Sequence, residues 1–205
     1  MKERYPPRPR KKEDIALILA VLDSMFYERK VVYFSVPITT GKNFSDWHAT
    51  FGKRLVLSNP TYIKEHRRHV IEPNRTRVER IANLYSRKFK RCMINPMLLK
   101  DLPGWTQDDY RALWSHIIEN YVSTVIFADG WQYSNGCAYE FLIAHKTKIR
   151  TVDQRQSPLT LNKGIQLINS AINNMENKTH NVPTEFLESV KKELVNLKVR
   201  NWSKQ

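Results

Sequence analysis

The segment FADGWQYSNGCAYEFLIAH, residues 127–145, sets one carboxylate, Glu140, among apolar and small neighbours: Cys137, Ala138, Tyr139, Phe141, Leu142, Ile143 and Ala144. A carboxylate in such surroundings is costly unless it is paired or used. Used, it can be a nucleophile or a general base. Unused, it simply points to solvent. Just before it, Ser134, Asn135 and Gly136 stand where a helix begins, so a hydroxyl and free backbone amides can hold an anion there. Asp129 ends the apolar run ahead of this turn and Trp131 follows it. Asp129 either holds a ligand or shapes the turn. Trp131 either stacks on a flat ligand or packs as an ordinary aromatic.

A second loop, SVPITTGKN, spans residues 35–43. Pro37 makes a sharp exit from an apolar stretch, and Gly41 lets the backbone approach a ligand closely. Ile38, Thr39 and Thr40 complete the loop, whose hydroxyls and amides can hold a phosphate or sugar hydroxyls. An ordinary loop is equally compatible, because the spacing is neither a Walker A motif nor the dinucleotide glycine fingerprint. His66 and His69 share a helical face, but no third ligand is nearby in sequence, so no metal is expected. Cys137 has no evident base and reads as a small buried residue, and Cys92 reads as core.

These loops need elements to hold them. Residues 13–29 have apolar side chains at helical spacing. KVVYFSVPI (30–38) is a buried strand, and a helix capped by Asn43 or Ser45 follows. The basic stretch 61–90 is helical in pattern with a break near Pro73. CMINPML (92–98) is a short strand ended by Pro96, and TQDDYRALWSHIIENYV is a helix capped by Thr106. STVIFADG is the most apolar strand, the helix bearing Glu140 follows, and KIRTVDQ is a fourth strand. LNKGIQLINSAINNM and PTEFLESVKKELVNLKV are C-terminal helices. Alternating strands and helices imply an α/β, Rossmann-like, mainly parallel sheet of four to five strands with helices on both faces, plus N- and C-terminal helices. Ligands in such sheets sit outside the carboxyl ends of the strands, which selects the loops 37–45, 95–106 and 129–136. The division expected is a flexible basic arm (1–12), a catalytic domain (13–152) with a basic helical insertion (53–91), and a helical extension (153–205).

The chain has 205 residues and a formal charge of +14. Residues 1–12 contribute +5 and residues 53–91 contribute +9, the whole excess. Such patches suit phosphates: a nucleotide, a nucleic acid or an acidic partner. No apolar run approaches the roughly 20 residues of a membrane span, so no membrane partner is expected. Two cysteines are too few for a disulfide framework, and a reducing, cytoplasmic setting is the expectation.

VVYFSVPI, INP at 94–96 and VIFADGWQYSNGCAYEFLIAH together resemble the nucleoside 2-deoxyribosyltransferase-like superfamily, including its nucleotide N-glycosidase branch. The resemblance covers roughly residues 30–152. Its most specific element is Ser134, Gly136 and Glu140 in Ser-x-Gly-x-x-x-Glu spacing; in the opening motif Val36 stands where the family usually has glycine. The resemblance implies that Glu140 attacks the anomeric carbon, displaces the base and forms a glycosyl ester that water or a second base resolves. It implies that Tyr33 and the 38–41 loop join the ligand-binding set. It also implies a 5′-phosphate at Ser134, where branches acting on free nucleosides tend to carry Asp. The family's second acid, which helps the leaving base, falls near His116 by counting back from Ser134; Asp109 lies two turns earlier on the same helical face. The implied substrate is a nucleotide or an NAD-like molecule, with no cofactor, in a homo-oligomer. An NAD-consuming glycohydrolase is the alternative enzyme. A non-catalytic module that binds nucleotides, or nucleic acid through segments 1–12 and 53–91, is the alternative from another class.

Overall fold

The computed structural model describes residues 11–26, 31–51, 54, 59–88, 92–99, 102, 104–178 and 184–202. The elements in order are α1 (Lys11–Met25), β1 (Val31–Ser35), α2 (Lys42–Thr50), α3 (Pro60–His66), a π-helical turn (Arg67–Ile71), α4 (Glu72–Lys88) and β2 (Met93–Ile94). Then come α5 (Gln107–Tyr121), β3 (Val122–Phe127), α6 (Asn135–Lys146), β4 (Arg150–Asp153), α7 (Leu161–Lys178) and α8 (Glu185–Trp202). The four strands form one sheet in the order β2-β1-β3-β4 with every pairing parallel. The α/β, Rossmann-like expectation holds, with four strands among the described residues.

β1 is buried throughout, and its alternate residues face two different helical layers. Val32 and Phe34, with Ile126 and Val152, meet Val78, Ile81 and Tyr85 of α4. Val31 and Tyr33, with Val125 and Phe127, meet α5 and α6, and side chains of α1, α7 and α8 join the same core. Segment 53–91 is therefore more than a surface addition, because α4 covers one face of the sheet. Likewise Ile168, Ile172, Leu187 and Leu194 of the C-terminal helices belong to the core that contains β1 and β3.

Several local expectations are corrected. The helix of the basic stretch runs on through Pro73: α3, the π turn and α4 are contiguous. Proline has no N–H to give to a preceding turn, and the irregular winding lies in the turn just upstream of it. The cap of α2 is Gly41, at φ 90, rather than Asn43 or Ser45. A Cβ at Gly41 would meet Pro37 Cβ at 2.5 Å, so glycine is required by both conformation and space. The 92–98 strand shrinks to two residues followed by a 3₁₀ turn, Pro96–Leu98. Cys92 is exposed rather than core; its carbonyl extends the β1 pairing by accepting from Val32 N at 3.0 Å, while its side chain lies outside the packed face. Residues 1–10 of the expected basic arm lie outside the described residues.

α7 approaches α6 closely at one point. A Cβ on Gly164 would stand 2.1 Å from Phe141 Cζ. Phe141 is itself fixed by Trp131 at 4.7 Å and Phe127 at 5.4 Å between ring centroids. Gly164→Ala should therefore lower unfolding free energy by roughly 1–3 kcal/mol through overpacking, read from the urea midpoint. An unchanged midpoint would contradict this close packing of α7.

Candidate active site

The strand order reverses between β1 and β3: the chain leaves β1 toward β2 on one side and returns to β3 on the other. A crevice opens at the carboxyl ends of strands at such a switch point. Tyr33 and Ser35 lie two residues apart on β1 and so share one face of the strand. The register sets Tyr33 beside Val125 and Ser35 beside Phe127. α6, which begins eight residues after β3, lies over this face and carries Glu140.

Glu140 is 9% exposed. Tyr33 OH donates to Glu140 Oε1 at 2.7 Å, and Ser35 Oγ donates to Oε2 at 2.5 Å. The carboxyl group is pulled two ways. Burial raises its pKa, while the two donors favour the ionised form and lower it; burial prevails, and the pKa is pushed up from 4.5 to about 7. The group is thus poised between acid and carboxylate near neutrality. The Cys137 thiol is buried and is pushed up to about 12, chiefly by burial and then by Glu140. A neutral thiol is a poor nucleophile, which leaves Glu140 rather than Cys137 as this helix's candidate for chemistry.

Glu140 borders a cavity of about 430 Å³, within the range of small-molecule sites. One side is the loop after β1 (Val36, Ile38, Thr39, Thr40) with Phe44 and His66; another is the start of α6 (Ser134, Asn135, Gly136) with Tyr139. The third is α5, which presents Gln107, Tyr110, Arg111 and Trp114. These four positions are spaced at i, i+3, i+4 and i+7, one face of a helix. Trp114 lies 6.0 Å from Tyr33 between ring centroids, which sets an aromatic surface beside the Glu140 carboxyl.

The polar start of α6 is well ordered by its own bonds. Ser134 is the N-cap, and its Oγ accepts from Cys137 N. Thr40 Oγ1 donates to the same oxygen at 3.0 Å, tying the two predicted loops together. Asn74 of α4 supports the first loop from behind, donating to Ile38 O at 2.9 Å and to Thr40 O at 3.2 Å. The Nε2–H of His66 donates to Thr39 O at 2.8 Å, since a carbonyl can only accept.

Most of the sequence-predicted residues converge here: Glu140, Tyr33, Ser134, Asn135, Gly136, Ile38, Thr39 and Thr40 all border the cavity or bond to a residue that does. Gly41 shapes the loop without lining the cavity. Four predicted residues stand elsewhere. Asp109 completes the capping box of α5: its carboxylate accepts from Thr106 N at 2.6 Å and from Thr106 Oγ1 at 2.7 Å. His116 lies against Tyr121, 6.3 Å between ring centroids, away from the cavity face of α5. Trp131 is 3% exposed and packs between Phe127 and Phe141, which selects the packing alternative. Asp129 is exposed and pairs with Arg77 at 3.4 Å. Sequence reasoning missed Ser35, Trp114, Tyr110, Gln107 and Arg111; only the shared helical face of the last four was available as a signal.

A second concavity lies on the basic helix. Arg68, Glu72, Pro73, Thr76, Arg77 and Arg80 line an open groove of about 470 Å³. Among the described residues no group of three His, Cys, Asp or Glu is arranged to hold a metal ion, and no helix is long and apolar enough to cross a membrane. Comparison with protein-family models, curated proteins and solved structures finds no match to this chain.

Proposed function

We propose that the protein cleaves or exchanges the N-glycosidic bond of a nucleotide, with Glu140 as the nucleophile. The observation that carries this reading is the buried Glu140 carboxyl, held by Tyr33 and Ser35 at the switch point and bordering an aromatic-lined cavity. The two donors fix the direction of the carboxyl group. An oxocarbenium-like transition state needs a close carboxylate first to stabilise it and then to form an ester with it. Trp114, Tyr110 and Tyr139 offer flat surfaces for a base. Ser134, Thr40 and the first amides of α6 supply the neutral, hydrogen-bonding end that suits a 5′-phosphate.

The test is base release, followed by chromatography, from deoxynucleotides, ribonucleotides and NAD. Release by the native protein that disappears in Glu140→Gln is the expected result. No release from any of these substrates sinks the proposal.

The phosphate site has its own test. Asp is as good a helix N-cap as Ser, so Ser134→Asp preserves α6 while adding a negative charge. Binding of 5′-monophosphates should weaken on the order of 100-fold, with nucleosides nearly unaffected. Equal loss for both ligands would place the phosphate elsewhere.

The arginine-lined groove supports a second reading, a nucleic-acid surface on the basic helix. Its phosphate contacts would make binding fall steeply with salt. Binding to DNA or RNA that ignores salt, or none at low salt, removes that reading.

A further inference from the structure

The reaction proposed above leaves one demand unmet by the predicted residues. A purine or pyrimidine base departs with the electron pair of the C1′–N bond, and something must stabilise that charge. Asp109, the acid expected for this on α5, has its carboxylate turned to Thr106 at the helix start. Among the described residues lining the cavity, Glu140 is the only carboxylate, and its role is at the sugar. The charged residue that α5 does present there is Arg111, next to Tyr110 in the chain and one turn from Gln107 on one side and Trp114 on the other.

We propose that Arg111 is the leaving-group residue: its guanidinium holds the departing base by charge rather than by giving it a proton. The inference rests on the proposed function. Its support is placement. Arg111 shares the cavity face of α5 with Tyr110 and Trp114, the surfaces a base would stack on. Its Cζ sits 4.8 Å over the Phe186 ring of α8, which steadies the planar fork. One nitrogen, Nη2, is paired with Asp108 on the solvent side. A guanidinium has five N–H donors, so that pair leaves donors for the acceptor edge of a base.

The balance of the step is complete without a general acid. A Glu140 oxygen forms the bond to C1′ as the C1′–N bond breaks, and its electron pair leaves on the base nitrogen. The base anion rests against Arg111 and takes a proton from water. A water molecule then hydrolyses the glycosyl ester, returning the Glu140 carboxylate, the sugar phosphate and one proton.

The consequence is a dependence on the leaving group. A base already carrying a positive charge, such as the pyridinium of nicotinamide mononucleotide or an N7-methylated guanine nucleotide, departs neutral and needs no such help. Arg111→Met should slow release of unmodified bases by roughly 100-fold, the scale of removing one preorganised donor, and release of the quaternised bases by less than about 3-fold. Arg111→Lys, which keeps the charge but loses the fork, should fall between. Comparing two substrates on one preparation cancels any difference in folded fraction. Equal slowing of both substrate kinds overturns the assignment of Arg111 while leaving Glu140 in place. Absence of release from every substrate by the native protein overturns both.

Discussion

Glu140→Gln should make the protein more stable at pH 8 while abolishing the proposed base release. The native carboxyl has its pKa raised from 4.5 to about 7, mainly because burial disfavours the charge. Below 4.5 the group is protonated in both folded and unfolded chains and contributes nothing. Between these values the folded state binds the proton more tightly than the unfolded state, so unfolding free energy falls as pH rises. Above 7 the loss is complete, about 3 kcal/mol at 1.36 kcal/mol per unit. The glutamine variant has no charge to bury and so lacks this decline. Its advantage should be near zero at pH 4, grow across the window from 4.5 to 7, and level off at about 3 kcal/mol. Urea unfolding of both proteins at several pH values measures it. A variant less stable than the native protein at pH 8 would show that the carboxylate is not carrying a burial cost. A site kept at the expense of stability is what a working carboxylate predicts, since strained or uncompensated groups persist where function needs them.

The second large effect is on the pH profile. Attack on carbon needs the ionised carboxylate, so kcat/KM should rise with pH and level off above about 7, the folded value for Glu140. Tyr33→Phe removes the donor 2.7 Å from Oε1. A hydrogen bond to a charged group contributes roughly 1.5–3 kcal/mol, so the inflection should move upward by about 1–2 units. At pH 6.5 the variant should lose roughly 10-fold or more, and at pH 9 recover most of it. The packing of the Tyr33 ring against Trp114 survives the substitution, which keeps the comparison to a single hydroxyl. A uniform loss at all pH values, with the inflection unmoved, would mean that Tyr33 positions the group without tuning it.

The sequence displayed the alternation of strands and helices plainly because the two central strands, β1 and β3, are largely apolar runs ended by turn residues. It also displayed Glu140 and Ser134, whose relation is local: both lie within two turns of one helix. Ser35 was hidden because its bond to Glu140 spans 105 residues and depends on the β1–β3 register. The α5 wall was hidden for a related reason. Counting back from Ser134 reached His116 and Asp109, but the cap at Thr106 fixes the rotation of the helix. That rotation turns Gln107, Tyr110, Arg111 and Trp114 inward and leaves Asp109 at the capping position. In α4 the arginines obscured a buried stripe, Val78, Ile81 and Tyr85, spaced by three and four. The charge on the segment was legible, and the packing under it was not. Trp131 shows the converse: an aromatic in a candidate loop drew attention as a ligand surface, and the three-ring cluster with Phe127 and Phe141 claims it instead.

The proposed attack of Glu140 on carbon leaves its mark in the configuration of the product. In dilute methanol, part of the glycosyl ester is resolved by methanol instead of water, giving a methyl glycoside that cannot equilibrate at C1′. Two displacements, first by Glu140 and then by methanol, return the β configuration of the starting nucleotide. Attack by Glu140 requires the β-methyl glycoside by proton NMR with the native protein, and neither glycoside nor free base with Glu140→Gln. An α-methyl glycoside, the product of a single direct displacement, would contradict it.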